Sequence, residues 1–173
     1  MRDDGLRLCN WGCGSIQPAG WVNVDSDPQH KAVTTLEGFD DNAFDGIVAN
    51  HSLQQVTHHD LPDVFLRLAR VTKPGGWLRV LVPDVVAGFE AFKRMDRAWF
   101  PISAEECPSI GEAFSRWLTW YGENCTAFTV AYLCERAATG GWVRLRNHGK
   151  LPPAAFELDD RLGESLIVTF TRP

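Results

Sequence analysis

Residues 6–15 have the sequence LRLCNWGCGS, a short apolar strand that runs into a turn with two glycines one residue apart. A second apolar run, WVNV at residues 21–24, follows and ends on Asp25. Glycines directly after a strand let backbone N–H groups come close to a ligand that a Cβ would keep away. An acid at the end of the next strand can accept hydrogen bonds from ribose hydroxyls. The pattern predicts a site for a nucleoside-like cofactor, although Gly12 and Gly14 could also form a plain tight turn.

The same region lacks the usual apparatus for binding phosphate. A dinucleotide motif would be Gly-x-Gly-x-x-Gly opening a helix, but its sixth position is here Gln17, and Pro18 follows. A Gly-x-x-x-x-Gly-Lys-Ser/Thr loop is absent from the chain as well. These absences disfavour a nucleotide-dependent oxidoreductase and favour an adenosine derivative without phosphates.

The rest of the chain alternates apolar runs of strand length with segments of helical periodicity. Only six residues separate Gly14 from Trp21, so the first crossover has no room for a full helix. The last two strands are joined by a short, Pro-rich linker and should be antiparallel neighbours. The predicted strands are 6–9, 21–24, 33–36, 44–49, 77–82, 142–146 and 165–170, and the predicted helices are 60–71, one starting near 84, 112–121 and 126–138.

This order predicts an α/β fold: a three-layer, doubly wound, mostly parallel sheet with an antiparallel C-terminal strand and a reduced first crossover helix. Helices are expected on both faces, and the length suggests one domain over residues 1–173. We expect Asp60 and Thr126 to cap their helices, and Val85, Phe89 and Phe92 to form the apolar face of the helix near residue 84.

Composition and charge narrow the functional classes. The chain is 45% hydrophobic and 23% charged, a composition typical of soluble globular proteins. Its net charge of −5 and the lack of a basic run argue against non-specific binding of nucleic acid. No apolar run is long enough to span a bilayer, and the polar N-terminus is not that of a signal peptide. The five cysteines are irregularly spaced and contain no Cys-x-x-Cys pair, which suggests a reduced, cytoplasmic setting and no metal site.

Four segments in order carry a resemblance to a known family. They are LCNWGCG at 8–14, GWVNVD at 20–25, FDGIVANHSL at 44–53, and RVTKPGGWL at 70–78 with VPD at 82–84. Together they resemble the class I S-adenosylmethionine-dependent methyltransferases, specifically a short, type-11-like domain with a Rossmann-like fold. The resemblance implies S-adenosyl-L-methionine as cofactor and covers most of the chain outside residues 101–122.

The resemblance also implies roles for individual residues. Asp25 would hold the ribose, the backbone of the glycine turn would face the methionine part, Leu36 would pack on adenine, and Asn50 and His51 would close the methyl-donor side. The residues so implied to bind the cofactor are Asn10, Gly12, Cys13, Gly14, Asp25, Leu36, Asn50 and His51.

Candidates for acid–base chemistry are few. His51 is the candidate catalytic residue: it is either a histidine satisfied at a strand end or a group that orients or deprotonates the acceptor. The family motif usually continues Leu-Glu-His, whereas this chain has Leu53-Gln54-Gln55, which removes an acid and an imidazole. Asp84 could contact substrate or cap the following helix.

The predicted function is methyl transfer from S-adenosylmethionine to an acceptor that we expect to be a small molecule or a sugar. Residues 100–124 have the least resemblance and are expected to form an acceptor-side or lid segment, while Trp117, Trp120 and Tyr121 are expected in the core. Methyl transfer mainly requires alignment of donor and acceptor, so the lack of a catalytic dyad is compatible with it. The alternative is a methyltransferase-like binding or scaffold domain without catalysis; acceptor and oligomeric state stay open.

Overall fold

The computed structural model describes residues 3–25, 36–147, 149, 151–159 and 161–173, and it contains a six-stranded sheet of order β2-β1-β3-β4-β6-β5. Neighbouring strands from β2 through β4 are parallel, whereas β6 is antiparallel to both β4 and β5. The strands are β1 Leu8–Trp11, β2 Val22–Val24, β3 Phe44–Asn50, β4 Thr72–Pro83, β5 Val143–Arg144 and β6 Ser165–Thr171. The predicted Rossmann-like, mostly parallel sheet with an antiparallel C-terminal strand is therefore confirmed. The strand predicted at Val33–Leu36 falls on residues 33–35, outside the described residues.

The first crossover is reduced, as its length predicts. Residues 12–21, all of them described, form turns without a helix. The Asn10 carboxamide stabilises this loop by donating to the carbonyl of Ile16 at 2.7 Å and to Oδ1 of Asn23 at 3.2 Å. Side-chain hydrogen bonds here replace the rigidity that a crossover helix would give.

Four helices of nine residues or more occur in the described part of the chain: α1 Leu61–Val71, α2 Val85–Lys93, α3 Ile110–Thr119 and α4 Val130–Thr139. Helix α1 buries the apolar face that its spacing predicts, including Leu61, Val64, Phe65 and Leu68. It packs beside α4, and the Trp142 indole N–H donates to the Phe65 carbonyl at 3.0 Å. These two helices cover one face of the sheet.

Helix α4 begins later than predicted. Thr129, not Thr126, is its cap: the Thr129 hydroxyl oxygen accepts from the Tyr132 N–H at 3.2 Å. The Thr126 hydroxyl instead donates to the Val56 carbonyl at 2.7 Å, so it joins two loops.

Helices α1 and α2 also differ in detail from the prediction. Asp60 precedes α1 but makes no capping hydrogen bond, because its carboxylate accepts from the Thr57 hydroxyl at 2.7 Å. Helix α2 buries Gly88 and Ala91, whereas Phe89, predicted on the apolar face, is 50% exposed. The small residues turn inward because α2 packs closely against α3, where a Cβ on Gly88 would lie 2.3 Å from the Trp117 ring.

The remaining described core has two parts. On the second face of the sheet, Leu8, Val48, Trp77 and Leu81 pack with Trp21 and residues 154–158. Beyond the carboxyl ends of the strands, α2 and α3 enclose a smaller aromatic core with residues 99–107. This second core lies where ligands bind in sheets of this type.

A buried ion pair holds residues 153–159 against the second face of the sheet. The Arg79 guanidinium, on β4, donates through Nε to Asp159 Oδ1 at 2.7 Å, through Nη2 to Asp159 Oδ2, and through Nη1 to the Thr169 hydroxyl at 2.9 Å. The Arg79 and Asp159 side chains are 7% and 12% exposed. The guanidinium also stacks on Phe156, 4.7 Å from its ring centroid. Residues 153–159 are thereby held on the central strand.

No helix within the described ranges is both long enough and apolar enough to cross a membrane.

Candidate functional site

A cavity of about 430 Å³ opens at the carboxyl edge of the sheet. Its volume is in the range of small-molecule sites. Polar groups alternate with aromatic and aliphatic ones along its wall. The lining residues are Trp11, Gly12, Cys13, Gly14, Ser15, Ile16, Asp25, Asn50, His51, Ser52, Gln54, Gln55, Val56, Pro83, Trp117, Trp120, Asn124, Arg161 and Glu164.

The sheet order arranges this wall along a line. Asp25 follows β2, the glycine turn follows β1, His51 follows β3 and Pro83 ends β4. Strand β6 is antiparallel, so its first residue, Ser165, pairs with Pro83, and the loop before it arrives at the same edge. With strands about 4.8 Å apart, β2 and β6 are separated by roughly 19 Å. The cavity therefore has a β2–β1 end and a β4–β6 end.

The glycine turn is held against β2 by backbone hydrogen bonds. The N–H groups of Gly12 and Cys13 both donate to the Val24 carbonyl, at 2.7 and 3.1 Å. The expectation that these two N–H groups are offered to a ligand is therefore wrong: the pairing of β1 with β2 continues into the turn and uses them. Gly12 nevertheless has to be glycine, since its φ is +70° and a Cβ there would lie 2.2 Å from Ser52 Cβ.

Replacing Gly12 by alanine should destabilise the protein by about 3 kcal/mol, the sum of left-handed strain and overpacking. Gly14→Ala is the matched control, because Gly14 also has positive φ, +50°, but open space around its Cβ position. It should cost about 1 kcal/mol. Urea unfolding measures both values, and Ser52→Gly should restore part of the loss in Gly12→Ala. Equal losses in the two single variants would contradict the proposed clash.

Two residues implied by the resemblance do not line the cavity. The Asn10 side chain is 2% exposed and is used to brace the loop at Ile16. Leu36 is 1% exposed within the main core, and its carbonyl accepts from Arg70 Nη2 at 2.7 Å. Asn10 thus stabilises the loop after β1, and Leu36 belongs to the main core.

Asp25 and Cys13 share the β2–β1 end of the cavity. Asp25 is exposed, as a carboxylate that meets a polar ligand has to be. Cys13 is 6% exposed, and burial together with the negative charge of Asp25 raises the pKa of its thiol. The thiol is therefore neutral near pH 7 and acts as an apolar wall rather than as a nucleophile.

Cysteine labelling should follow this pattern. Iodoacetamide at pH 7.5 should modify the exposed Cys125 and leave Cys13 and Cys9 unmodified in the folded protein, because burial raises the pKa of Cys9 to about 12 and raises that of Cys13 as well. Peptide mapping by mass spectrometry identifies the labelled sites. Modification of Cys13 as fast as that of Cys125 would contradict the description of this end of the cavity.

His51 stands at the middle of the edge with a defined tautomer. The Ser165 hydroxyl donates its single proton to the Arg161 carbonyl at 2.8 Å. The 2.8 Å contact between His51 Nε2 and Ser165 Oγ therefore has Nε2 as the donor, and neutral His51 carries its lone pair on Nδ1. His51 also has a left-handed backbone, φ 49°, fixed by its N–H donating to the Leu81 carbonyl at 2.9 Å. Strained backbone of this kind is concentrated at functional sites.

The Asn50 side chain, beside His51, is held by the segment that packs on the second face of the sheet. Its Nδ2 donates to the Leu158 carbonyl at 2.8 Å. The residue is thus connected to the segment that the Arg79–Asp159 pair holds.

The β4–β6 end of the cavity contains residues that sequence reasoning did not assign to a site. The Arg161 guanidinium lies 5.6 Å from the centroid of the Trp120 ring, and Glu164 accepts from the Trp117 indole N–H at 2.9 Å. Trp117 is core, as predicted, but it also lines the cavity, and so does the half-buried Trp120; Tyr121, predicted in the core, is 54% exposed. Arg161 and Glu164 could have been found from the antiparallel last strand, because the residues before such a strand join the carboxyl edge. Asp84 caps α2, accepting from Val86 and Ala87 N–H at 3.1 Å, and does not line the cavity.

The described residues contain no group of three or more His, Cys, Asp or Glu side chains that could hold a metal ion. The residues present do fit an adenosine derivative without phosphates. An exposed carboxylate, Asp25, and a glycine turn share one end of a cavity of suitable size, and no helix N-terminus occurs in the described residues 12–21 after β1 to hold a pyrophosphate.

Comparisons with known proteins agree with this geometry. A family model described as a methyltransferase domain matches residues 12–80, from the glycine turn into β4. No curated protein matches the chain in sequence.

Similar solved structures share the fold. An S-adenosylmethionine-dependent methyltransferase from Mesorhizobium loti has a TM-score of 0.56 at 14% identity, covering 97% of this chain and 91% of that one. One from Archaeoglobus fulgidus has a TM-score of 0.56 at 8% identity, covering 96% and 86%. A trans-methyltransferase crystallised with SAH has a TM-score of 0.52 at 14% identity, covering 98% and 52%. At such identities these structures show the fold alone. Residues 12–80 of this chain thus match a methyltransferase domain, within a fold that S-adenosylmethionine-dependent methyltransferases share.

Proposed function

We propose that this chain transfers the methyl group of S-adenosylmethionine to a small-molecule or sugar acceptor bound in the cavity at the carboxyl edge. The observation that supports this most directly is that Asp25, the glycine turn and His51 line one cavity, in the order that the strands impose. S-adenosylmethionine supplies a methyl group already activated by its sulfonium. The protein has to align the two substrates and exclude water, which can account for ~7–11 kcal/mol of the barrier.

In this proposal the two ends of the cavity have different tasks. Asp25 accepts hydrogen bonds from the ribose hydroxyls, and Cys13, Gly14 and Asn50 surround the methionine part. His51 lies between the ends of the cavity and is the candidate for orienting or deprotonating an acceptor that arrives protonated. The acceptor occupies the β4–β6 end, whose wall includes Trp117, Trp120 and Asn124 of the segment 100–124.

Two measurements on the purified chain test this proposal. Calorimetric titration with S-adenosylhomocysteine should show saturable binding to one site, and tritium from methyl-labelled S-adenosylmethionine should appear in an extractable small-molecule product. If S-adenosylhomocysteine does not bind, the chain is instead a methyltransferase-like scaffold domain. Binding without transfer to any low-molecular-weight acceptor would refute the acceptor class and leave the cofactor assignment standing.

A further inference from the structure

Arg161 brings a positive charge to the β4–β6 end of the cavity. Among the described residues that line the cavity, it is the only lysine or arginine. Arg161 is exposed, and its guanidinium carbon lies 5.6 Å from the centroid of the Trp120 ring, which lines the same wall. Within the ranges that the structure describes, the guanidinium forms no ion pair and none of its N–H groups has an acceptor. Its donors are therefore available to a ligand.

The nearest acid in the sequence does not neutralise this cation. Glu164 belongs to the same turn, since its N–H donates to the Arg161 carbonyl at 3.0 Å. The Glu164 carboxylate, however, accepts from the indole N–H of the buried Trp117 at 2.9 Å and forms no ion pair with Arg161. The other acid of the wall, Asp25, lies at the β2–β1 end. A ligand at the β4–β6 end thus meets an unpaired guanidinium.

The ring beside the guanidinium is held in place by side chains outside the cavity wall. Trp120 and Tyr121 both have left-handed backbone, with φ values of 42° and 57°. The Tyr121 hydroxyl donates to Glu106, whose carboxylate also pairs with Arg116 at 3.1 Å, and the Arg116 guanidinium lies 5.6 Å from the Tyr121 ring centroid. Strained backbone is concentrated at functional sites, and here it positions the ring on which the Arg161 guanidinium rests.

Arg161 also adjoins the centre of the cavity. Ser165 Oγ lies 2.8 Å from the Arg161 carbonyl and 2.8 Å from His51 Nε2, so two consecutive hydrogen bonds connect residue 161 with the candidate catalytic residue. A small molecule bound to the guanidinium can therefore extend to the part of the cavity beside His51. This is where the proposed function requires the methyl acceptor.

We infer that the methyl acceptor is a small carboxylic acid, and that Arg161 binds its carboxylate beside the Trp120 ring. This inference rests on the proposed function and names the acceptor class. The planar fork of guanidinium N–H groups matches the two oxygens of a carboxylate. A phosphate monoester fits less well, because it carries nearly two negative charges, whereas the wall offers one cation with Glu164 in the same turn.

The carboxylate anchors the acceptor and is not the group that is methylated. Pairing with a cation lowers the basicity of a carboxylate, so a hydroxyl or amino group elsewhere on the acceptor is the better nucleophile. A lone pair of that group forms the new bond to the methyl carbon, and the S–C bond of the donor breaks with both electrons going to sulfur. The proton of the hydroxyl or amino group passes to water, which gives a methyl ether or an N-methylamine and S-adenosylhomocysteine.

The test compares three acids with neutral partners of similar shape: 4-hydroxybenzoate with 4-hydroxybenzamide, 2-aminobenzoate with 2-aminobenzamide, and glucuronate with glucose. Each is titrated by calorimetry at pH 7.5 into protein saturated with S-adenosylhomocysteine. The wild type should bind at least one acid about tenfold more tightly than its neutral partner. Tritium from methyl-labelled S-adenosylmethionine should enter that acid and remain in it after mild base, which releases methanol from a methyl ester.

The variants assign the preference to one side chain. Arg161→Gln should weaken binding of the acid about tenfold, while the Kd values for its neutral partner and for S-adenosylhomocysteine change less than twofold. Arg161→Lys keeps the charge without the planar fork and should retain part of the preference. Arg146→Gln, at an exposed position outside the cavity wall, is the matched control and should bind as the wild type does.

Three results would overturn the inference and leave the cofactor site intact: binding of none of the three acids by protein that binds S-adenosylhomocysteine, equal binding of acids and neutral partners, and an unchanged preference in Arg161→Gln. Label lost in mild base would also overturn it, because Arg161 would then hold the reacting group. Absence of S-adenosylhomocysteine binding by the wild type removes the proposed function and this inference with it. If Arg161→Gln does not fold, the wild-type preference is the test: it should fall as NaCl is raised, and a salt-independent preference overturns the ion pair.

Discussion

Asp25→Ala should weaken S-adenosylhomocysteine binding by at least about 100-fold. The carboxylate is proposed to accept two ribose hydroxyls, and hydrogen bonds to a charged group contribute about 1.5–3 kcal/mol each. The side chain is exposed at the end of β2, so the variant should fold normally and keep its melting temperature within about 1 °C. Isothermal titration calorimetry measures the loss.

Two further variants make that result specific. Asp25→Asn keeps a single acceptor oxygen and should lose about tenfold, between the wild type and the alanine variant. Glu105→Ala removes an exposed acid outside the cavity wall and should bind as the wild type does. An unchanged Kd in Asp25→Ala would show that this carboxylate does not hold the ribose, and the division of the cavity into a cofactor end and an acceptor end would have to be abandoned.

Asp159→Ala should produce the largest loss of stability, about 3–5 kcal/mol, because it leaves the buried Arg79 guanidinium without its carboxylate. For a chain of this length, that loss corresponds to a fall in melting temperature of roughly 10 °C. The segment 153–159 should loosen at the same time, and with it the Leu158 carbonyl that holds Asn50. Urea unfolding gives the stability, and S-adenosylhomocysteine titration reports the effect on the site.

The control for this prediction is an ion pair on the surface. Glu37→Ala removes the partner of Arg67, but the Glu37 side chain is 75% exposed, and the loss should be at most about 1 kcal/mol. The double variant Arg79→Met, Asp159→Leu replaces both buried charges by apolar groups and should recover most of the stability that Asp159→Ala loses. A double variant as unstable as the single one would mean that the segment depends on more than the charge pairing.

Sequence patterns predicted the structural features that depend on residues close together in the chain. The strand and glycine turn at residues 6–15, the acid at Asp25 and the apolar face of α1 each depend on neighbours within a few residues. The short first crossover followed from counting residues between Gly14 and Trp21. The resemblance added the cofactor and the order of the motifs, and the family match over residues 12–80 confirms that part.

What the sequence did not show depends on partners distant in the chain. Arg79 and Asp159 are 80 residues apart, and no periodicity relates them. From the sequence, Thr126 and Thr129 are equally suitable as the N-cap of α4. Only the hydrogen bond from the Thr126 hydroxyl to the Val56 carbonyl shows that Thr126 is not the cap. The Gly12 and Cys13 N–H groups are occupied because the pairing of β1 with β2 extends one step past the strand ends, which the sequence does not show. Arg161 and Glu164 join the edge solely because β6 reverses direction.

That reversal divides the two recognition tasks between separate stretches of the polypeptide. The wall at the β2–β1 end and around His51 is contributed almost wholly by residues 11–56, whereas the opposite wall comes from Pro83, α3, the turn after it and the loop before β6. With the proposed division of the cavity, substitutions in the later stretch would change which acceptor is methylated while the residues that bind the methyl donor stay the same. A chain built in this way can diversify its chemistry by exchanging one contiguous half of its gene product while the other half stays constant.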